Sequence, residues 1–293
     1  MSIKQFPPLV LAYFLGLASL LAQSHHGHAS CVLPVGPAIT TPVSVPYKGL
    51  RPVGKAANIQ VTFLPNGSSV SGNTCSTWPL NARTAFNFAV GIYESLLTST
   101  QTIEIQACWS GDLASGTLGS ARAAGFFANN LTTPTSAVAQ ALSEKLLDQN
   151  NGNPDIITTL NANRTDWYFG TDASPSIFQI DFVTVVLHEI THGLGFAGAE
   201  NIDDGIGSGN SVECNGVVNA GCLGFSNFTI PTVYTLLVED AAGTSILDLA
   251  SNPSVQLGNY LRGLNGDLFL NGPSLSSPAK VFTPNVYNGG SSY

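Results

Sequence analysis

Charge is scarce in this chain. Of 293 residues only 10 are Lys or Arg and 18 are Asp or Glu, giving a formal net charge of -8 and a pI near 4.9. A coiled coil or a solvated disordered tail needs far more charge than this. A surface for nucleic acid or anionic lipid needs a basic face, and the ten cations are scattered along the sequence, so neither partner is expected. Methionine is almost absent, Met1 being the only one, and three of the five histidines lie in the tract His25, His26 and His28. Beyond residue 22 no apolar run reaches the roughly 20 residues that a bilayer-spanning helix requires, so no stable membrane insertion is expected. No glycine-rich phosphate loop and no G-x-S-x-G elbow stands out.

What is present describes a loop-rich globular protein: 44% hydrophobic residues, 30 glycines and 17 prolines. The N-terminus has the layout of a secretory signal. Lys4 supplies the positive start, Leu9 to Ala22 is an apolar run of signal length, and small or polar residues follow. Residues 1–24 are read as this signal, and the remainder is expected to be secreted, extracellular or periplasmic. Five cysteines agree with an oxidising compartment. Cys214 and Cys222 can close a short loop, Cys75 and Cys108 flank a predicted helix and can meet across it, and Cys31 is left over. Asn66, Asn130, Asn163 and Asn227 each begin an N-x-S/T sequon.

Residues 25–56 carry Pro34, Pro37, Pro42, Pro46 and Pro52 with little periodicity and read as an arm or linker. Strands are expected at Ile59–Leu64, Thr102–Trp109 and Asp155–Leu160, and helices at Asn81–Leu97 and Ser136–Leu147. The glycine-rich stretch after Trp109 is expected to be turns, and Asp166–Pro175 a connector. Ile177–Leu194 is largely apolar and free of Gly and Pro until Gly193. It is predicted to be a buried helix, with Ser174 and Ser176 as capping-type residues before it. Past Gly195 the chain is expected to be irregular to about residue 228, followed by strand-like pieces such as Thr232–Glu239. The fold class read from this order is α+β. Residues 57–198 form one part, a twisted mixed sheet plus a long apolar helix, and 199–293 an irregular, β- and loop-rich remainder.

His188-Glu189-Ile190-Thr191-His192 has the form H-E-x-x-H, and no other histidine lies outside the N-terminal tract. On a helix, residues four apart differ by about 40° in azimuth and about 6 Å in height, so both imidazoles project from one face. Such a pair can hold one zinc ion, with His188 and His192 as ligands. Glu189 is rotated by about 100° and sits beside the open coordination position as a general base. The bland alternative is two histidines that bracket a glutamate by chance.

The run from Val185 to Phe196 (VVLHEITHGLGF) resembles the active-site helix of the metzincin zinc peptidases, H-E-x-x-H-x-x-G. Its Gly-Leu-Gly-Phe ending is most similar to the leishmanolysin-like branch and related bacterial secreted peptidases. The resemblance implies a zinc metalloendopeptidase acting on protein or peptide substrates, with Gly195 as the turn that ends the helix. It also implies a metzincin-like N-terminal subdomain over about residues 57–196. It is specific over the twelve motif residues and architectural elsewhere. Two departures stand out. The position three past the glycine, where most metzincins carry a third His or Asp ligand, is Gly198, and no Met-turn methionine exists. The expectation is that the sequence stops short of a third histidine and the Met-turn. The rival donors are Glu200, Asp203, Asp204, Glu213, Glu239 and Asp240. The alternative function is a secreted binding or surface protein that keeps the fold and zinc site without turnover. Calcium is a weaker expectation, from the oxygen-rich stretches Asp148–Asp155 and Asp203–Asn210. The His25, His26, His28 tract reads as a polar processed terminus.

Overall fold

The computed structural model describes residues 54–129, 135–203, 213–224 and 230–271, together with the backbone of 24–25, 28–32 and 279–282. The architecture is α+β, as expected. The chain divides into two compact units, one made of residues 28–125 and 139–195, the other of 1–27, 126–138 and 196–293. The signal segment before residue 24, most of the proline-rich arm, and Asp204, Asn130 and Asn227 lie outside the described residues.

The first unit is built on a mixed sheet of β1 (His28–Val32), β2 (Asn58–Phe63), β3 (Thr102–Ser110), β4 (Thr117–Ala123) and β5 (Ile156–Asn161). Their spatial order is β1-β4-β5-β3-β2. β3 runs parallel to both β2 and β5, whereas β4 is antiparallel to β5 and to β1. Three helices belong to this unit: α1 (Leu80–Leu96), α2 (Gln140–Leu147) and α3 (Phe182–Gly193). α1 packs on β2 and on α3, while α3 packs on β4 and β5.

α1 forms as the sequence predicts, since Ala82, Ala85, Phe86, Ala89, Val90 and Tyr93 fall on one buried stripe. Its Phe86 joins an aromatic cluster that ties helix to sheet. Phe63, Trp78, Trp109 and Phe182 follow one another at centroid spacings of 4.9, 5.2 and 5.9 Å. Such ring contacts add about 0.5–1.5 kcal/mol each beyond area burial. Cys75–Cys108 joins the loop after β2 to β3, and Cys214–Cys222 closes a loop in the second unit.

Four expectations need correction. β4 lies in the stretch read as turns. Its sequence, TLGSARA, has poor strand formers, but Leu118, Ala121 and Ala123 are buried and the ladder to β5 is continuous. Packing between two neighbours overrides weak propensity there. Second, residues 136–139 are a short strand and only 140–147 a helix. Third, α3 starts at Phe182, not Ile177. Ile177 and Phe178 are exposed at 68% and 81%, in a turn held by Gln179 N–H donating to Ser176 O. The cap is Asp181, whose carboxylate accepts from Thr184 N at 2.9 Å. Ser174 and Ser176 belong to the preceding turns. Fourth, Thr235–Leu237 is a 3-10 turn, with strand only from Val238.

The second unit has its own core of Leu223, Tyr234, Val238, Ile246, Leu257, Leu261, Leu268 and Leu270. A three-stranded antiparallel sheet (Val238–Asp240, Leu268–Leu270, Ala279–Phe282) and a two-stranded ribbon (Glu200–Ile202, Gly221–Leu223) frame it. Helix α4 (Val255–Leu261), capped by Ser254 through its bond from Leu257 N, was not foreseen. At seven residues it is too short to show a clear period.

Candidate metal centre

α3 is almost wholly buried, with Phe182, Val183, Val185, Val186, Leu187 and Ile190 filling the unit's interior. An apolar helix that starts on an Asp cap places its polar motif residues by helical geometry alone. His188 and His192 share one face, their Nε2 atoms 2.9 Å apart and their ring planes crossing at 86°. As described, one ring donates to the other. Two nitrogens bound tetrahedrally at 2.0–2.1 Å from one zinc stand about 3.3 Å apart, a few tenths of an ångström wider than this pair. Both Nε2 atoms therefore converge on one point, and a small rotation opens them to a shared ion. Burial, helped by the neighbouring His192, holds the His188 imidazole down to about 3. A ring kept neutral in this way keeps its lone pair for a metal.

Glu189 is fully buried one step round the helix. The strand it faces presents Gly119. A Cβ built on Gly119 would stand 3.2 Å from Glu189 Cγ, 3.0 Å from Leu160 Cδ1 and 3.2 Å from the Thr159 carbonyl oxygen. Only a residue without a side chain lets β4 run this close to the glutamate.

Behind the motif, the Tyr93 hydroxyl on α1 donates to the Leu187 carbonyl at 2.8 Å and lies 2.6 Å from Thr191 Oγ1. Thr191 Oγ1 itself donates to Leu187 O at 2.7 Å. Leu187 precedes His188 and Thr191 precedes His192, so this buried trio fixes the backbone on which both imidazoles stand. Burial raises the Tyr93 phenol well above its ordinary value, which keeps it a neutral donor. Sequence reasoning placed Tyr93 within the predicted helix Asn81–Leu97 and gave it no role. The signal was its hydroxyl, since a buried tyrosine needs a partner. α3 then ends as the motif implies, with Leu194 N bonded to Ile190 O, Gly195 N to His192 O, and Gly195 at φ 103°.

No group of three or more His, Cys, Asp or Glu side chains gathers around a metal position among the described residues. The rival donors in the second unit have local employment. Glu239 Oε1 accepts from Asn271 Nδ2, and Asp240 Oδ1 accepts from Ala242 N and Thr244 N in a tight turn. Asp203 is buried, with its backbone paired to Ala220 and Asn219. The side chains of Asp204 and Glu213 lie outside the described residues. Glu200 is the distinctive one. Its carboxyl accepts from Thr235 Oγ1 at 2.6 Å, and burial raises its pKa. A Cβ at Gly198 would fall 1.3 Å from Glu200 Oε2, so the carboxylate occupies the space where a side chain at 198 would begin.

No helix among the described residues is long and apolar enough to cross a membrane, and the two disulfides are compatible with an oxidising compartment. A family model described as SPBPB7E8-like matches residues 132–205, about a quarter of the chain, a span that takes in α2, β5 and the whole of α3. No curated protein and no solved structure matches the chain.

Proposed function

We propose that the chain is a secreted zinc-dependent endopeptidase in which His188 and His192 bind the metal and Glu189 is the general base. The observation that carries this reading is the convergence of the two Nε2 atoms at 2.9 Å on one buried helical turn that also bears Glu189. His188 and His192 would hold a zinc ion, which when bound would supply an acidified water and a Lewis acid for the peptide carbonyl. Glu189 would serve there as the proton acceptor and then as the donor to the leaving amine. An extended peptide is the substrate class, laid along a strand edge by main-chain hydrogen bonds. Secretion is supported by the N-terminal signal pattern and the disulfides.

The test is Glu189→Gln. The variant should bind one zinc per chain like the wild type and lose about 10²–10⁴-fold in peptide hydrolysis, the usual worth of a general base. Unchanged proteolysis removes the assigned role. The second reading, a secreted binding protein with this fold and no turnover, is favoured by the incomplete set of donors around the two imidazoles among the described residues. It predicts zinc uptake by the wild type with no hydrolysis of any unfolded protein substrate.

A further inference from the structure

Well away in sequence from the histidine pair, α2 and the loop that leads into β5 enclose two buried carboxylates. Glu144 is 5% exposed and Asp155 is fully buried. Asp155 Oδ2 accepts from Glu104 N at 2.8 Å, and Glu144 Oε1 accepts from Asn151 N at 3.1 Å. The other oxygen of each, Asp155 Oδ1 and Glu144 Oε2, is buried with no hydrogen-bond partner. The charges that act on Asp155 are Glu144 and Glu104, both negative. Two buried carboxylates that repel one another, each with an oxygen lacking a hydrogen bond, are costly unless something positive joins them.

The side chain at the centre of this group is Gln140, itself 4% exposed. Its Nε2 points to Asn153 O at 3.1 Å, Asn151 Oδ1 at 3.2 Å and Glu144 Oε1 at 3.4 Å, and the amide also bonds the Asp155 carboxyl. A primary amide has two protons for these four acceptors. The cluster thus gathers carboxylate, amide and carbonyl oxygens around the Gln140 amide.

We propose that this cluster is a calcium site, with Glu144, Asp155, Asn151 Oδ1 and the Asn153 carbonyl as ligands. Calcium takes six to eight oxygen donors, mixes carboxylates with amide and backbone carbonyls, and tolerates irregular geometry. Magnesium demands a regular octahedron and zinc prefers nitrogen and sulfur, so neither suits this set. Gln140 turns its amide on binding and offers Oε1 in place of Nε2. Asn151 and Asn153 lie on the exposed loop and give the ion its route in from solvent. The bound ion locks α2 to the start of β5, the strand on which α3 rests. This site is independent of the zinc reading, and its failure leaves that reading untouched.

The experiment is calorimetric titration of the full chain with CaCl2 after chelation and desalting, paired with thermal unfolding. A His188→Ala background removes the histidine pair as a competing site. Wild type and H188A should each bind one calcium with a Kd of about 10⁻⁴–10⁻³ M or tighter, and the Tm should rise with calcium but not with equal MgCl2. Glu144→Gln and Asp155→Asn should lose the calcium response while unfolding at the same or a higher Tm without it, because each removes one of two like charges that repel. Asn151→Ala, on the exposed loop, keeps the fold and should weaken binding about tenfold. No calcium-dependent heat or Tm shift in the wild type up to about 10 mM overturns the proposal, as does an equal response in E144Q, D155N and N151A.

Discussion

The hydroxyl of Tyr93 lies 2.6 Å from Thr191 Oγ1, across the contact between α1 and α3. The two side chains come together at a sequence separation of 98 residues and share the Leu187 carbonyl. Tyr93 is a positioning residue, acting through the backbone that carries His188 and His192. Tyr93→Phe removes one buried donor and leaves Thr191 still bonded to Leu187. The expected cost is about 1–2 kcal/mol of stability, read by chemical denaturation, together with weaker zinc retention in competition with a chelator. If the tyrosine is only structural, stability falls and zinc affinity stays unchanged.

The approach of β4 to Glu189 gives a second prediction. Gly119→Val forces atoms into a space bounded by Leu160, Glu189 and the Thr159 carbonyl, where even a Cβ is tight. The strand backbone cannot retreat without breaking its ladder to β5, so the flexible glutamate moves. Hydrolysis should fall by at least about tenfold with zinc still bound, since small displacements of catalytic groups are costly. Loss of zinc and of activity together would show that the helix itself is displaced.

β4 is also the strand against which the N-terminal arm lies. Ala29 pairs with Ala121, Ser30 with Ser120 and Val32 with Thr117, antiparallel, the register slipping by one opposite Leu118 and Gly119. A strand in this place occupies the edge that an extended peptide would use beside Glu189. Removal of residues 25–54 should raise the rate of peptide hydrolysis, and a synthetic peptide of residues 25–36 added back should compete with substrate. Equal rates with and without the arm would place substrate elsewhere.

For pH, the clearest handle is Arg164, which grips Asp166 through Nε–Oδ1 at 2.9 Å and Nη2–Oδ2 at 2.6 Å. The guanidinium bond holds the Asp166 carboxyl below its usual value. A carboxyl with a depressed folded pKa contributes stability above the unfolded value of about 3.9, and loses it as pH falls through the folded value. Asp166 is a third exposed, so solvent screening keeps the pair below about 1 kcal/mol. In an NMR titration, Arg164→Ala should return Asp166 toward the ordinary carboxylate range and remove this part of the acid-side loss. An unchanged Asp166 midpoint would exclude the pair as the cause.

Much of the candidate site was legible because helical spacing is a local property. The distance from His188 to His192, the place of Glu189 between them and the turn at Gly195 follow once the segment is a helix. The segment announces itself by its apolar composition. Cys75–Cys108 and Cys214–Cys222 are the two pairs that the flanked helix and the short loop suggested. The helix start was misread because Ile177 and Phe178 look like core residues, and nothing in their neighbourhood says that they face solvent.

By itself, then, the sequence determined the motif, its helix and the α+β alternation, all of which depend on residues within a few turns of one another. Only the tertiary structure decided that a stretch of poor strand formers, TLGSARA, is a strand and runs beside Glu189. The same holds for Tyr93 reaching across to Leu187 and Thr191, and for Gln140 reaching Glu144, Asn151 and Asn153. These relationships join segments whose own propensities are weak or silent. They exist because burial makes unpaired polar groups costly and close packing selects which distant residues meet, and neither effect leaves a period in the sequence.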